Sequence, residues 1–353
     1  MNENYVTLGQ VCTKGSSNIA QKDLAEREGQ YPIYGAAGLI KNVDFAHQKQ
    51  SYIAVVKDGA GIGRVMKLPA YSSVIGTMQY IFPKENVDID YLFYALQHMN
   101  LGKYFSGSTI PHIYFRDYQK ERLKLPVMEV QQRQADTLSR IDALSAYGQR
   151  QIALMDEIVK SRFVEMLGDP ETNPYGWRKT TVGDVCSSVV RGPFGSALKK
   201  EFFVEPNGST YKVYEQKHAI QKSATIGTYY ISAEKFGELR RFECRPGDIL
   251  MSCSGTMGEL FQLPSGCERG VINQALCKFT LSDCILPIVF LTYMRQTIGN
   301  LETKGSGIQN IAAVSYVKAM PINLPPMEVQ RRFAAFVAEV DKSKLSYEME
   351  VAA

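Results

Sequence analysis

No stretch of this chain stays apolar for the roughly 18 residues that a membrane-spanning helix needs. Its polar start, MNENYVTLGQ, has no apolar segment of the kind that secretion requires. These two absences predict a soluble, cytoplasmic protein. Cysteine is present, but the seven residues form no C-x-x-C pair. Structural zinc sites use closely spaced ligand pairs, so a zinc module is not expected. The cysteines instead read as small buried residues in a reducing compartment. The four histidines (His47, His98, His112 and His218) are scattered and lack metal-ligand spacing. No Walker loop and no serine or cysteine nucleophile motif is present, so neither nucleotide hydrolysis nor covalent catalysis is indicated. A strong charge of either sign is missing too, since the net charge is only +4.

What remains is an ordinary globular composition. Of 353 residues, 45% are hydrophobic and 22% charged, which excludes a disordered or collagen-like chain. The length suggests two or three domains. The modest charge is unevenly placed. Segments 1–126 and 169–325 are mildly basic, and segments 127–168 and 326–353 are mildly acidic. That alternation fits an anionic partner on the two larger segments, and also fits plain solvated surfaces.

The chain repeats itself. LGQVC (Leu8 to Cys12) is matched by VGDVC (Val182 to Cys186). VIGTMQYIFP (Val74 to Pro83) is matched by VINQALCKFT (Val271 to Thr280). KLPVMEVQQR (Lys124 to Arg133) is matched by NLPPMEVQRR (Asn323 to Arg332). The offset grows along the chain, so the second copy holds insertions. A repeat this long means a duplicated domain rather than a solenoid.

Within each copy, SYIAVV and MQYIFP, or GDILMS and LCKFTL, read as strands near glycine turns. IDYLFYALQHM (Ile89 to Met99) and IVFLTYMRQTI (Ile288 to Ile298) have helical periodicity. Between the copies, Met128 to Leu167 holds no proline and one glycine, Gly148. Leu138, Ile141, Ile152, Met155, Val159 and Met166 recur there at a spacing of three or four. A helix over this stretch would run roughly 60 Å. Gly168 and the sequence DPETNPYGW end it. A second helix starts at Met327, with Phe333, Phe336 and Val340 at the same spacing. It is the shorter of the two. The expected fold is α+β: two mixed α/β domains joined by two long antiparallel helices forming an intramolecular coiled coil. The expected boundaries are 1–126, 127–168, 169–325 and 326–353.

These residues resemble the specificity subunit of a type I restriction–modification system. In that family each recognition domain ends in a segment like P-x-x-E-Q that opens a long helix. Here the segments are Pro126 to Gln131 and Pro325 to Gln330, with Val130 and Val329 inserted before the glutamine. The first helix closes on the family's F-x-x-M-x-G-D-P, as Phe163, Met166, Gly168, Asp169 and Pro170, followed by Asn173, Gly176 and Trp177. The resemblance implies that each domain reads half of a split, asymmetric sequence in double-stranded DNA. It implies that the helices set the gap and dock methyltransferase subunits, which motor-nuclease restriction subunits join. It implies a subunit with no catalytic residue, no metal and no cofactor. The shorter second helix departs from the pattern and would leave part of the first unpaired. A specificity chain of a fused methyltransferase–nuclease system stays open as an alternative. So do a methyltransferase with degenerate motifs and a silent scaffold without DNA specificity.

Two tempting motifs argue little for catalysis. NLPPM (Asn323 to Met327) and NPYGW (Asn173 to Trp177) are poor versions of the Asx-Pro-Pro-aromatic loop that grips a flipped adenine. NLPPM reads instead as a strand-to-helix junction. DGAGIG (Asp58 to Gly63) is a glycine cluster with no helix behind it, which makes it a turn.

For DNA contact, phosphates favour Lys, Arg, Ser, Thr and backbone amides, and base edges favour Arg, Asn, Gln and aromatics. The second copy offers Arg191, Ser196, Lys199 and Lys200, then Gln216 and Lys217 beside Tyr214, then Gln274, then Lys304, Ser306, Gln309 and Asn310. The first offers Thr77, Gln79, Ser106, Ser108, Thr109 and His112.

Overall fold

The computed structural model describes residues 5–107, 111–299 and 314–352. The chain forms two compact units, Met1–Tyr147 and Gly148–Ala353.

The described residues of the first unit hold nine strands: β1 (Tyr5–Thr7), β2 (Cys12–Ser16), β3 (Tyr31–Gly35), β4 (Gly38–Val43), β5 (Tyr52–Val56), β6 (Val65–Leu68), β7 (Ser73–Val74), β8 (Met78–Pro83) and β9 (Arg122–Lys124). One sheet has the order β2-β8-β5-β6, antiparallel throughout. A second has the order β4-β3-β7, with β3 and β7 parallel. A two-stranded ribbon joins β1 to β9. Strand β5 is buried at every position because both its faces are covered. Ile53 and Val55 pack with Ile81, Leu92 and Leu96. Tyr52, Ala54 and Val56 pack on the other side with Val74, Met78 and Tyr80. Leu92 and Leu96 come from helix α1 (Ile89–His98). Its N-terminus is capped by the Asp88 carboxylate, which accepts from Asp90 N and Tyr91 N, both at 2.9 Å.

The second unit repeats this plan. Its strands are β10 (Arg178–Thr181), β11 (Cys186–Arg191), β12 (Phe203–Val204), β13 (Tyr211–Tyr214), β14 (Tyr230–Ile231), β15 (Glu243–Cys244), β16 (Ile249–Ser252), β17 (Leu260–Gln262), β18 (Gly270–Ile272), β19 (Leu276–Leu281) and β20 (Pro321–Leu324). The order β11-β19-β16-β17 matches that of the first unit's larger sheet. The second sheet, β12-β14-β13-β18-β15, again contains a parallel pair, β13 with β18. Strands β10 and β20 form the ribbon. Strand β14 pairs antiparallel with β13 as β4 does with β3, and the two additional strands, β12 and β15, belong to the insertions that the growing offset predicted.

In chain order, helix α2 (Met128–Leu167), 40 residues long, follows β9 and precedes β10. Helix α3 (Pro287–Thr297) is the second unit's counterpart of α1. Helix α4 (Met327–Ala352) is 26 residues long and closes the chain. Both α2 and α4 begin right after a short strand and a proline, so NLPPM is a strand-to-helix junction. The repeated glutamine explains the junction. Gln131 is 1% exposed. Its Oε1 accepts from Asp88 N (2.9 Å), and its Nε2 donates to Asn86 O (3.1 Å) and Pro126 O (2.8 Å). Gln330, also 1% exposed, accepts from Leu286 N (2.8 Å) and donates to Cys284 O (3.0 Å) and Pro325 O (2.9 Å). One buried amide thus satisfies three backbone groups in each copy and clips the long helix to the loop before α1 or α3.

The far end of α2 is capped by the DPETNPYGW segment. Gly168 takes φ +86°, a conformation open to glycine. Trp177 Nε1 donates to Leu167 O (2.7 Å), and the Tyr175 hydroxyl donates to Glu165 O (2.6 Å). Both bonds satisfy carbonyls that a helix end leaves bare. Within the second unit, α2 and α4 run antiparallel. Phe163 meets Phe333 edge-on with ring centroids 5.5 Å apart. Asp156, further back along α2, pairs with Lys344, further forward along α4, at 2.5 Å. In the first unit's part of α2, Leu138, Ile141, Leu144 and Tyr147 are exposed.

All seven cysteines are free thiols, five of them buried. No helix among the described residues is long and apolar enough to cross a membrane.

Candidate nucleic-acid interface

In each unit several loops leave one end of the larger sheet together. In the first, β5 ends opposite the start of β8, Val56 facing Met78. Lys57 N and Asp58 N both donate to Thr77 O, at 2.9 and 3.2 Å. Gly59 N donates to Pro111 O (2.9 Å), and Ile113 N to Lys57 O (2.9 Å). Ser106 and His112 exchange two backbone bonds of 2.8 Å. The structure therefore brings Thr77, Ser106 and His112 to one rim.

Sequence reasoning missed the partner that organises this rim. His112 Nδ1 donates to Asp58 Oδ1 (2.7 Å), and Lys57 Nζ donates to Asp58 Oδ2 (2.8 Å). Burial alone would raise the Asp58 carboxyl. The bonds from His112 and Lys57, with the charge of Lys57, outweigh it and hold the group below the usual carboxylate range. The available signal was the position of Asp58 at the head of DGAGIG. That segment is a hairpin turn into β6, as expected. At Gly63, with φ +80°, a Cβ would meet Gly102 N at 2.3 Å. The ring of Tyr114, exposed to solvent, lies 6.4 Å from that of His112 at 25°, and the Arg116 guanidinium sits 4.8 Å from the Tyr114 centroid.

Gln79 is a correction. It is 6% exposed, and its Oε1 accepts from the Tyr118 hydroxyl at 2.7 Å. It is a buried residue of β8 rather than an exposed one at the rim.

The second rim has the same backbone plan. Cys253 N donates to Ala275 O (2.8 Å), as Lys57 N does to Thr77 O. Gly192 N donates to Leu276 O (3.0 Å). A Cβ on Gly192 would meet Asn273 O at 1.9 Å, so only glycine allows this approach. Arg191 is 7% exposed and its Nε donates to Gln274 O at 3.3 Å. Its guanidinium lies 5.0 Å from the ring centroid of Phe194, itself 62% exposed. Arg191 thus underpins the rim from inside, where the sequence placed it among the candidates for contact with DNA. Gln216 Nε2 donates to Ser254 O and to Thr256 O (3.4 Å), so it fastens the loop after β16. Gln274 is exposed at the tip between β18 and β19. Lys217 pairs with Glu215 (2.7 Å) and lies over the Tyr229 ring. Lys199 and Lys200 are exposed, Lys199 at 3.6 Å from Glu201. Ser108, Thr109, Lys304, Ser306, Gln309 and Asn310 lie outside the described residues, as does the side chain of Ser196.

These rims offer hydrogen-bond donors, acceptors and aromatic faces. Among the described residues no three His, Cys, Asp or Glu side chains cluster as metal ligands. His218 is fully buried, accepting from Glu215 N (2.8 Å) and donating to Ile226 O (2.7 Å). Burial holds its pKa low, and it serves as a core residue.

Residues 2–154 and 174–350 each match the family described as type I restriction modification DNA specificity domain, and the chain belongs to that family. Among its relatives is the type I restriction enzyme EcoprrI specificity subunit of Escherichia coli. It is 26% identical over 145 residues, which are 39% of this chain and 36% of that one. Another is the putative type I restriction enzyme MjaX specificity subunit of Methanocaldococcus jannaschii. It is 22% identical over 270 residues, 73% of this chain and 62% of that one. The matches thus span less than two thirds of either relative. The crystal structure of a type I restriction–modification S subunit from M. genitalium superposes with a TM-score of 0.58 at 16% identity, covering 99% of this chain and 93% of that one. A chain from a structural study of complex assembly and conformational transition in the type I system superposes with a TM-score of 0.50 at 16% identity, covering 99% and 92%. This likeness fixes the fold as that of specificity subunits.

Proposed function

We propose that the chain is the sequence-specific DNA-binding subunit of a type I restriction–modification complex. Residues 1–126 and 169–325 act as recognition domains, each reading one half of a bipartite, asymmetric target in double-stranded DNA. Residues 127–168 and 326–353 act as spacers that set the unspecified gap. The chain catalyses nothing itself, uses no cofactor, and works in the cytoplasm. It directs methyltransferase and restriction subunits to the site it reads. The observation that carries this reading is the duplicated rim. Two sheets hold their loops with the same backbone bonds but present different side chains, which suits two different half-sites. Exposed Leu138, Ile141 and Leu144, successive neighbours three residues apart along α2, offer apolar side chains to a methyltransferase subunit.

The test mixes the chain with its cognate methyltransferase subunit, S-adenosylmethionine and random-sequence DNA, and maps N6-methyladenine by single-molecule sequencing. Methylation of one split motif, only with both proteins present, is expected. Methylation by this chain alone would make it an enzyme. No methylation, with a partner competent beside another specificity chain, would make it a silent scaffold. Deleting about one turn of α2, Ala143 to Ala146, removes about 6 Å of helix. With base pairs about 3.4 Å apart, the gap should shorten by one or two. An unchanged gap would refute the spacer role.

A further inference from the structure

The first rim carries a fixture not found among the described residues of the second. His112 is anchored on both sides of its backbone. Besides its two bonds to Ser106, Pro111 O accepts from Gly59 N and Ile113 N donates to Lys57 O. Its ring is held at Nδ1 by Asp58 Oδ1 at 2.7 Å. Asp58 is anchored in turn, through its amide to Thr77 O (3.2 Å) and through Oδ2 to Lys57 Nζ (2.8 Å). The His112 side chain is nevertheless 37% exposed, so the rest of the ring is reachable. The carboxyl of Asp58, held below its usual range, remains a pure acceptor and places the ring proton on Nδ1. In the neutral ring Nε2 then carries a lone pair and only accepts.

We propose that Asp58 is a positioning residue that fixes His112 as a hydrogen-bond acceptor. At one position of the first half-site, His112 then selects a base presenting an exocyclic amino group in the major groove. Adenine (N6) and cytosine (N4) present such a donor, whereas guanine and thymine present only acceptors at the matching place. This rests on the reading of the chain as a DNA-specificity subunit. It also predicts an inversion. Lys57 has donors only, so in Asp58→Asn it claims the amide oxygen and turns the amide nitrogen toward His112 Nδ1. The ring proton moves to Nε2, which becomes a donor suited to guanine or thymine.

The experiment is the same N6-methyladenine mapping with the full complex, comparing the unaltered chain with His112→Ala, His112→Gln and Asp58→Asn. One position of one half-site should be adenine or cytosine in the unaltered chain. His112→Ala should cut discrimination there on the order of tenfold to a hundredfold. His112→Gln, which both donates and accepts, should broaden the same position. Asp58→Asn should shift the preference there to guanine or thymine. The other half-site and the gap should stay as they were, which shows that the variants fold and assemble. An unaltered motif in His112→Ala, or an Asp58→Asn preference identical to the unaltered chain's, overturns the inference. Loss of all methylation in both His112 variants also overturns it, by making the histidine structural. If the complex with the unaltered chain methylates no split motif, the DNA-reading function itself fails, and this inference falls with it.

Discussion

The two units agree in their skeleton and differ at their rims. Gln131 and Gln330 make the same three bonds, and Lys57 and Cys253 donate to the same point of the facing loop. Yet one rim carries Asp58, His112 and Lys57, and the other carries Gln216, Gln274 and a buried arginine. Backbone bonds place a loop whatever its side chains are. Such a scaffold can hold its shape while the chemistry it presents changes freely. The contrast also runs down the long helices. Phe333 of α4 is fully buried against Phe163, whereas its repeat partner in α2, Gln134, is exposed. The second unit's helix start sits in a helix pair, and the first unit's has no such aromatic cover.

The largest effect that sharpens this contrast is on stability. Phe333→Ala opens a cavity under Phe163 and should cost about 3–5 kcal/mol. Gln134→Ala should stay within about 0.5 kcal/mol. Denaturant unfolding of the full chain checks both, and similar losses from the two would break the comparison. Next comes the glutamine clip. Gln131→Ala and Gln330→Ala each strip three backbone groups of their partner, and each should cost about 2 kcal/mol. Here the two units should respond alike. A clip that matters in one unit only would show that the repeat is a coincidence of sequence.

Much of this was legible in the residues, and the physical reasons differ by element. The strands MQYIFP and LCKFTL occur where their sequences place them, as β8 and β19, because a buried strand is an apolar run bounded by turns. The long helix was legible from the absence of proline and the glycine that follows it. The role of the repeated glutamine was not. A buried amide looks like a surface residue in sequence, and only the folded chain brings Asn86, Asp88 and Pro126 to it. The same blindness explains Gln79 and Arg191. Both have side chains suited to DNA, and both point inward from strands where alternation alone did not decide the face. Asp58 was missed for the converse reason. Its partner, His112, is 54 residues away, and no local pattern links them.

A smaller effect tests the second rim's charge. Lys199 and Lys200 are exposed, with one weak acidic neighbour at 3.6 Å. Changing both to alanine should weaken binding to every DNA sequence by a similar factor. If both lysines neutralise phosphates, the slope of log affinity against log salt should flatten by about two. The preferred motif should not change, in contrast with the His112 variants. Unchanged affinity at low salt would remove this pair from the interface.

The smallest expected effect concerns acid, and again it separates the rims. Asp58 is held below the usual carboxylate range once folded, its bonds to His112 and Lys57 outweighing its burial. A carboxyl with a lower folded value binds fewer protons folded than unfolded, so it stabilises the fold. That contribution is complete above the unfolded value, about 3.9, and is lost as pH falls through the folded value. The melting temperature of the unaltered chain should therefore exceed that of Asp58→Asn at neutral pH. The gap should close as pH drops below about 4. Ser254, the repeat partner of Asp58, has no charge to lose, so any gap between the unaltered chain and Ser254→Ala should stay level over the same range. If the Asp58→Asn gap widened in acid, the carboxyl would be raised rather than lowered. His112 would then face a protonated acid, and the first rim would be built for a different base.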